Sequence, residues 1–322
     1  MTFLLSASMI RRLVTMNDVI DAVGQAAIQR AAGTLLAAPR VALPGGKTLL
    51  MAGESAERDG VATKVVSVAP ANRACGLATI QGLASWLDYA TRRPLLIADA
   101  TAATALRTGA LAGVATKALA PPGASVLAMV GTGGMATSLV EACAAVRPIT
   151  RVLLTSLHRE SAQEFGRRLS ELHPQLDVRS CAGVSEAVKD ADIVCLATTA
   201  VEALVEDHGL RPDVHINAVG AYRPDMRELG SSVLRAATLV CSDDPHGALR
   251  EAGDLMDAVT SGALSAESII DLGAVDGYDL AQRTGMTIFK SVGTAMADLA
   301  LLELLWQRAT EDGTIPSFEF SA

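Results

Sequence analysis

The chain has 322 residues, half of them hydrophobic and 19% charged, with aromatics at only 3%. That length exceeds what a single hydrophobic core fills, so two domains are expected, and the composition excludes a disordered chain. A net charge of −8, with no lysine- or arginine-rich run, speaks against nucleic acid or an anionic membrane as partner.

In chain order, "MTFLLSASMIRRL" places its arginines after the short apolar run, the reverse of a secretory signal. Met16, Val19, Ile20, Val23 and Ala27 then recur at helical spacing, with Thr15 as N-cap, Asp18 three residues on and Gly33 as the stop. "KTLLMAG", "VATKVVSV" and "RPLLIAD" read as strands, and "ATAATALRTGALAGVATKALA" as a small-residue helix. That helix runs into Pro121-Pro122-Gly123, the expected domain boundary. Beyond it, "SVLAMVG", "RVLLTS", "LDVRS", "DIVCLAT", "VHINAVG" and "ATLVCSDD" alternate with helical segments. Near-continuous apolar strands separated by helices predict an α/β fold with a Rossmann-type doubly wound parallel sheet. The closing helix, "SVGTAMADLALLELLW", is interrupted by Asp298 and Glu303 and falls short of the ~20 clean apolar residues of a membrane span. It is expected to return to the first domain, which has few long helices of its own.

Five scattered cysteines (Cys75, Cys143, Cys181, Cys195, Cys241) form no C-x-x-C pair, and most lie in apolar surroundings, so they read as small buried hydrophobes in a reducing, cytoplasmic setting. His173, His208 and His215 are too widely spread to bind a metal, and His246 lies at a helix start. All four are expected to be solvated or capping, with no metal site.

"VLAMVGTGGMATSLV" carries the strongest local signal. It holds Gly131, Gly133 and Ala136 as G-x-G-x-x-A, between the first strand of the alternating region and a helix. Gly131 permits the tight turn, Gly133 lets backbone N–H groups approach a pyrophosphate, and Ala136 lets helix and strand pack closely. The whole loop, with Thr132, Gly134 and Met135, is therefore expected to hold a dinucleotide at the helix N-terminus. The strand ends Ala197, Thr198, Thr199, Val219 and Gly220 complete the expected cofactor positions. An NAD site would put a carboxylate at the end of the second strand. This chain has Ser156 there, followed by His158 and Arg159. A guanidinium in place of a carboxylate favours a ribose 2′-phosphate, so NADP(H) is preferred and NAD(H) remains possible.

With "APRVAL", "VATKVVSV", "GLATIQG", "ALRTGALAG", "GTGGMA", "INAVGAYRPDMREL", "REAGDL" and "TIFKSVGTAMADL" in that order, the chain resembles the ornithine cyclodeaminase/mu-crystallin family over nearly its whole length. The resemblance implies a discontinuous α+β substrate and dimerisation domain, residues 1–120 completed by 296–322, around a nicotinamide-binding domain at 121–295. It implies a homodimer. It also identifies Arg40 and Arg107 with the family's carboxylate-binding arginines, and Lys64 with its substrate-facing lysine. By spacing alone, Arg40 and Arg107 read as surface or salt-bridged arginines, and Lys64 as an exposed strand residue. The chemistry suits the implied roles: a guanidinium meets a carboxylate with two parallel bonds, and a lysine of lowered pKa can deliver a proton beside a C=N group.

Cyclodeaminases of this family resemble one another in an aspartate two residues after the glycine of the strand-end loop. Here that glycine is Gly220 and the position is Tyr222. Oxidising an amine needs a base, and a phenol with an ordinary pKa of about 10 is a poor one but a fair hydrogen-bond donor. Reducing a preformed cyclic imine needs none. The expectation is an NAD(P)H-dependent reductase of cyclic ketimine acids such as Δ1-pyrroline-2-carboxylate or Δ1-piperideine-2-carboxylate, with Lys64 and Tyr222 catalytic. The alternatives are an ornithine cyclodeaminase with a displaced base, or an NADP-bound binding protein of the mu-crystallin type.

Overall fold

The computed structural model describes residues 1–277 and 285–320. By its internal contacts the chain divides into two compact units, Met1–Ala110 with Thr294–Ala322, and Leu111–Gly293. The first unit opens with β1 (Thr2–Leu5), α1 (Ala7–Leu13), α2 (Met16–Ala31), β2 (Leu36–Ala37), β3 (Val41–Ala42), β4 (Thr48–Ser55), β5 (Gly60–Val68), β6 (Ile80–Asp88) and β7 (Pro94–Asp99). Helix α3 (Ala100–Leu119) crosses the boundary, ahead of Pro121-Pro122-Gly123 where the sequence suggests the division.

The second unit holds β8 (Val126–Val130), α4 (Ala136–Val146), β9 (Arg151–Thr155), α5 (Arg159–Leu172), β10 (Asp177–Ser180), α6 (Val184–Val188), β11 (Ile193–Leu196) and β12 (His215–Ala218). It continues through α7 (Ser231–Ala236), β13 (Leu239–Ser242), α8 (Pro245–Glu251), α9 (Gly253–Thr260), β14 (Ile269–Asp271) and β15 (Thr287–Lys290). The chain then returns to the first unit with α10 (Ala295–Asp312) and β16 (Ser317–Phe318).

In the first unit the strands run β16-β1-β7-β6-β5-β4-β2, with β3 also on β4. Only β1 and β7 pair in parallel; the other neighbours are antiparallel. One face is covered by α10, which in turn packs on α2. Helix α2 starts on a capping box, Thr15 Oγ1 accepting from Asp18 N while Asp18 Oδ2 accepts from Thr15 N, and stops at left-handed Gly33. Helix α10 starts where Thr294 Oγ1 accepts from Met296 N and stops at left-handed Gly313.

The opposite face of that sheet carries an exposed apolar row. Val41 pairs with Leu50, Leu50 with Val65 and Val65 with Leu83, all four exposed, across four neighbouring strands. A recess of about 460 Å³ lined by Leu4, Met9, Leu83, Ile97 and Pro316 continues it.

The second unit is a wholly parallel sheet in the order β10-β9-β8-β11-β12-β15-β13-β14. The chain starts in the middle at β8, steps outward to β10, then returns to β11 on the other side. The carboxyl ends of β8 and β11 therefore form the switch point where such sheets bind ligands. Two strands of this sheet escape the sequence pattern. β15, "TIFK", wedges between β12 and β13, and β14, three residues long, adds an edge. His215, expected to be solvated or capping, is instead fully buried in β12, its ring bonded to Thr287 Oγ1 at 2.9 Å and Asn217 Oδ1 at 3.2 Å. Its neighbours in the sheet satisfy both ring nitrogens, which makes that burial tolerable. Among the described residues no helix is long and apolar enough to cross a membrane, and no group of three His, Cys, Asp or Glu could hold a metal.

Candidate active site

Strand β5 alternates. Ala62, Lys64 and Val66 turn to the buried face under α10, while Val65 turns outward. Lys64 thus lies on the inward face and is not the exposed strand residue expected of a lone lysine in an alternating strand. Its Nζ donates to Asp298 Oδ1 at 2.6 Å, and Arg107 Nε, from α3, lies 3.2 Å from the same oxygen. Lys64, Asp298 and Arg107 are 1%, 3% and 6% exposed in that order. Two cations therefore share one carboxylate oxygen out of water. Burial and the neighbouring Arg107 charge, with Arg40 adding a smaller push, outweigh Asp298 and drive the Lys64 pKa down to about 7. Arg40 is half-buried between β2 and β3 and acts on Lys64 through its charge. Among the described residues Arg107 Nε and Nη1 and Asp298 Oδ2 are buried with no hydrogen-bond partner. A guanidinium with spare donors beside an amine that titrates near neutrality can grip a carboxylate and transfer a proton.

In the second unit, β8 runs into Gly131 at φ +93, where a Cβ would sit 2.5 Å from the Ala197 carbonyl oxygen. Only glycine fits that approach of the β8 and β11 ends. The loop Thr132–Gly133–Gly134–Met135 then enters α4, whose cap residue Met135 provides no side-chain acceptor for the first-turn N–H groups. Gly134 is exposed, with open space where a Cβ would stand. A close glycine approach, an uncapped helix N-terminus and a parallel switch point are what a dinucleotide pyrophosphate requires, so these residues fit that group. At the end of β9, Ser156 is half-buried, and His158 and Arg159 are exposed at the start of α5, with Glu160 the acidic residue of that first turn.

The loops after β11 and β12 are fastened by one side chain. Fully buried Glu228 accepts from Thr198 N at 2.7 Å, Thr198 Oγ1 at 2.9 Å, Gly220 N at 2.8 Å and Ala221 N at 3.1 Å. Lys290 Nζ lies 4.0 Å from Glu228 Oε2 and donates to Asp254 Oδ2 at 2.9 Å; Asp254 also accepts from Glu228 N. Burial pushes the Glu228 pKa up, and Lys290 opposes it. Gly220 leaves no room for a Cβ between Glu228 and Thr198. Half-buried Tyr222 stands in the loop so closed, next to the exposed Arg223–Asp225 and the partly exposed Arg227–Asp257 ion pairs.

The family model of the ornithine cyclodeaminase/mu-crystallin family matches residues 1–313. The chain belongs to that family. Among its relatives, a Δ1-pyrroline-2-carboxylate reductase of Bacillus cereus is 35% identical over 98% of this chain and 99% of its own length. The ketimine reductase mu-crystallin of Mus musculus is 34% identical over 80% of this chain and 79% of its own. The solved Δ1-pyrroline-2-carboxylate reductase of Thermococcus litoralis, in complex with NADH and L-proline, superposes with a TM-score of 0.91 at 30% identity, covering 98% of this chain and 100% of that one.

Within the family frame, Lys64 and Arg107 are brought together in the first unit, and the glycine loop and strand ends in the second. Sequence reasoning missed Asp298, read only as an interruption of an apolar run, and missed the Glu228–Asp254–Lys290 cluster. The signal was a charged residue inside an otherwise apolar segment, "TAMADLALL" or "TIFKSVG", since such residues are rarely buried unless paired.

Proposed function

We propose that the protein is an NAD(P)H-dependent reductase of cyclic ketimine acids, taking Δ1-pyrroline-2-carboxylate or Δ1-piperideine-2-carboxylate to L-proline or L-pipecolate. The observation that carries this reading is the buried Lys64–Asp298–Arg107 cluster, in a chain whose relatives over its full length are named reductases of this kind. Arg40 and Arg107 hold the substrate carboxylate, Arg107 through Nη1, which has no hydrogen-bond partner among the described residues. Lys64 gives a proton to the imine nitrogen, which its pKa of about 7 permits at neutral pH. The reduced nicotinamide, when bound, supplies hydride to the imine carbon. Gly131, Thr132, Gly133, Gly134 and Met135 hold its pyrophosphate, and Ala197, Thr198, Thr199, Val219 and Gly220 border the ring end. Tyr222 stands where a cyclodeaminase would need its base, and donates a hydrogen bond to the substrate. That substitution favours reduction over deamination.

Ser156 with exposed Arg159 favours NADP(H) over NAD(H), because a guanidinium pairs with a 2′-phosphate. Arg159→Ala then raises KM for NADPH far more than for NADH; equal effects refute the preference. The exposed row Val41–Leu50–Val65–Leu83 suits a second copy of the chain, since apolar patches of this extent on a protein surface mark interfaces. Oxidation of NADPH and NADH, monitored against both cyclic imino acids, tests the main reading. No oxidation with either overturns it, and ammonia with proline formed from L-ornithine without added reductant replaces it by the lyase.

A further inference from the structure

We infer that Asp298 is a positioning residue for the reduction: through one carboxylate oxygen it fixes the Lys64 ammonium and the Arg107 guanidinium in a single register and keeps the proton on the lysine between turnovers. The shared contact is a matter of geometry, and its catalytic consequence rests on the reductase reading.

Three elements converge on that oxygen. Lys64 comes from β5, Arg107 from α3 and Asp298 from the first turn of α10, which Thr294 caps. Nζ is 2.6 Å and Nε 3.2 Å from Asp298 Oδ1. Sharing one oxygen keeps the amine and the guanidinium close to each other, so a substrate gripped by Arg107 lies beside the amine. This is orientation, which supplies much of a catalytic advantage. Among the described residues the charges that act on Lys64 are Arg107, Asp298 and Arg40. Two of the three are cations that expel its proton, and Asp298 is the sole carboxylate that retains it. Without that carboxylate the lysine faces two guanidinium groups in a buried setting and becomes a neutral amine at physiological pH, with no proton to give. Among the described residues Asp298 Oδ2 is buried without a hydrogen-bond partner, so the polar contacts of the carboxylate run through Oδ1 to Lys64 and Arg107.

The experiment observes Lys64 itself. The chain has five lysines, so the 13Cε resonances of lysine-labelled protein are few, and Lys64→Met assigns the one in question. In Asp298→Asn the Lys64 titration midpoint moves to lower pH by about one unit or more. The pH above which kcat/KM for the imine declines moves down with it, while nucleotide affinity stays within about twofold. A midpoint that does not move in the folded variant overturns the inference. If the wild type reduces no imine but the midpoint moves, the reductase reading fails and the electrostatic role of Asp298 stands. Should Asp298→Asn not fold, Asp298→Glu decides. It keeps the charge and displaces the register, so the midpoint stays within about half a unit of wild type while kcat falls about tenfold. An unchanged kcat, or a midpoint that leaves that range, refutes the inference.

Discussion

Replacing Glu228 by glutamine tests the clasp that joins the loops after β11 and β12. The side chain keeps its volume but exchanges one acceptor oxygen for an amide donor. Turned one way, the amide faces Thr198 N and Oγ1; turned the other, it faces Gly220 N and Ala221 N. Either way at least one buried backbone N–H loses its acceptor and meets a donor. Each such orphan costs about 1–3 kcal/mol, and lost charge-assisted bonds add to it, so about 3 kcal/mol is expected. Lys290 keeps Asp254 at 2.9 Å, so it is not left unpaired, and the figure stays below that for breaking a buried ion pair outright. For a unit spanning Leu111–Gly293 this corresponds to a Tm lower by about 6–12 °C. If the loss is confined to the loops, it appears instead as nucleotide binding weaker by about 100-fold. Calorimetry and a fluorescence titration with NADPH and NADH read the two quantities. A Tm within about 2 °C of wild type together with unchanged nucleotide affinity refutes the reasoning.

Gly131→Ala places a Cβ 2.5 Å from the Ala197 oxygen at a left-handed φ, and is expected to cost about 2–4 kcal/mol and to weaken nucleotide binding, as thermal melts with and without NADPH will register. Lys64→Met lowers imine turnover by about 10²–10⁴-fold with nucleotide affinity retained, as steady-state kinetics and direct titration show. The same variant changes the pH dependence of stability. The unfolded chain holds the Lys64 proton up to its ordinary value of 10.5 and the folded chain only to about 7, so unfolding takes up a proton between them. Wild-type stability therefore gains about 1.4 kcal/mol per pH unit relative to Lys64→Met over that window, and denaturant melts at pH 7, 8 and 9 measure it. Leu83→Asp, at the end of the exposed row, is expected to convert the proposed dimer to monomer in sedimentation without lowering Tm by more than about 2 °C, because Leu83 is exposed.

The sequence makes local and periodic features legible. The capping box of α2, the glycine at its end, the alternation of the second unit and the glycine turn after β8 are each specified by residues close together in the chain. The features that escape are specified at long range. Lys64 and Asp298 are 234 residues apart, and nothing in either segment names the other. Spacing does place Lys64 in phase with Ala62 and Val66, but a lysine is so often solvated that burial is inferred only once α10 is seen to cover that face. Glu228 hides for a different reason. In "RPDMREL" it comes after Arg223, Asp225 and Arg227, which form ion pairs at the exposed end of the loop, so one inward carboxylate reads as part of a solvated run. The place of β15 between β12 and β13 depends on sheet pairing, which no local pattern carries.

The return of the chain to its first unit has a consequence for biosynthesis. Residues Leu111–Gly293 form one uninterrupted segment, whereas the first unit is completed only by Thr294–Ala322. At translation rates of about 5–20 residues per second, Lys64 leaves the ribosome roughly 10–50 s before the carboxylate that neutralises it. During that interval one face of the nascent sheet lacks α10 and the other carries its apolar row, so both faces are sticky while the Rossmann unit is already free to fold. The order of synthesis thus leaves the unit that holds Lys64 the last to close.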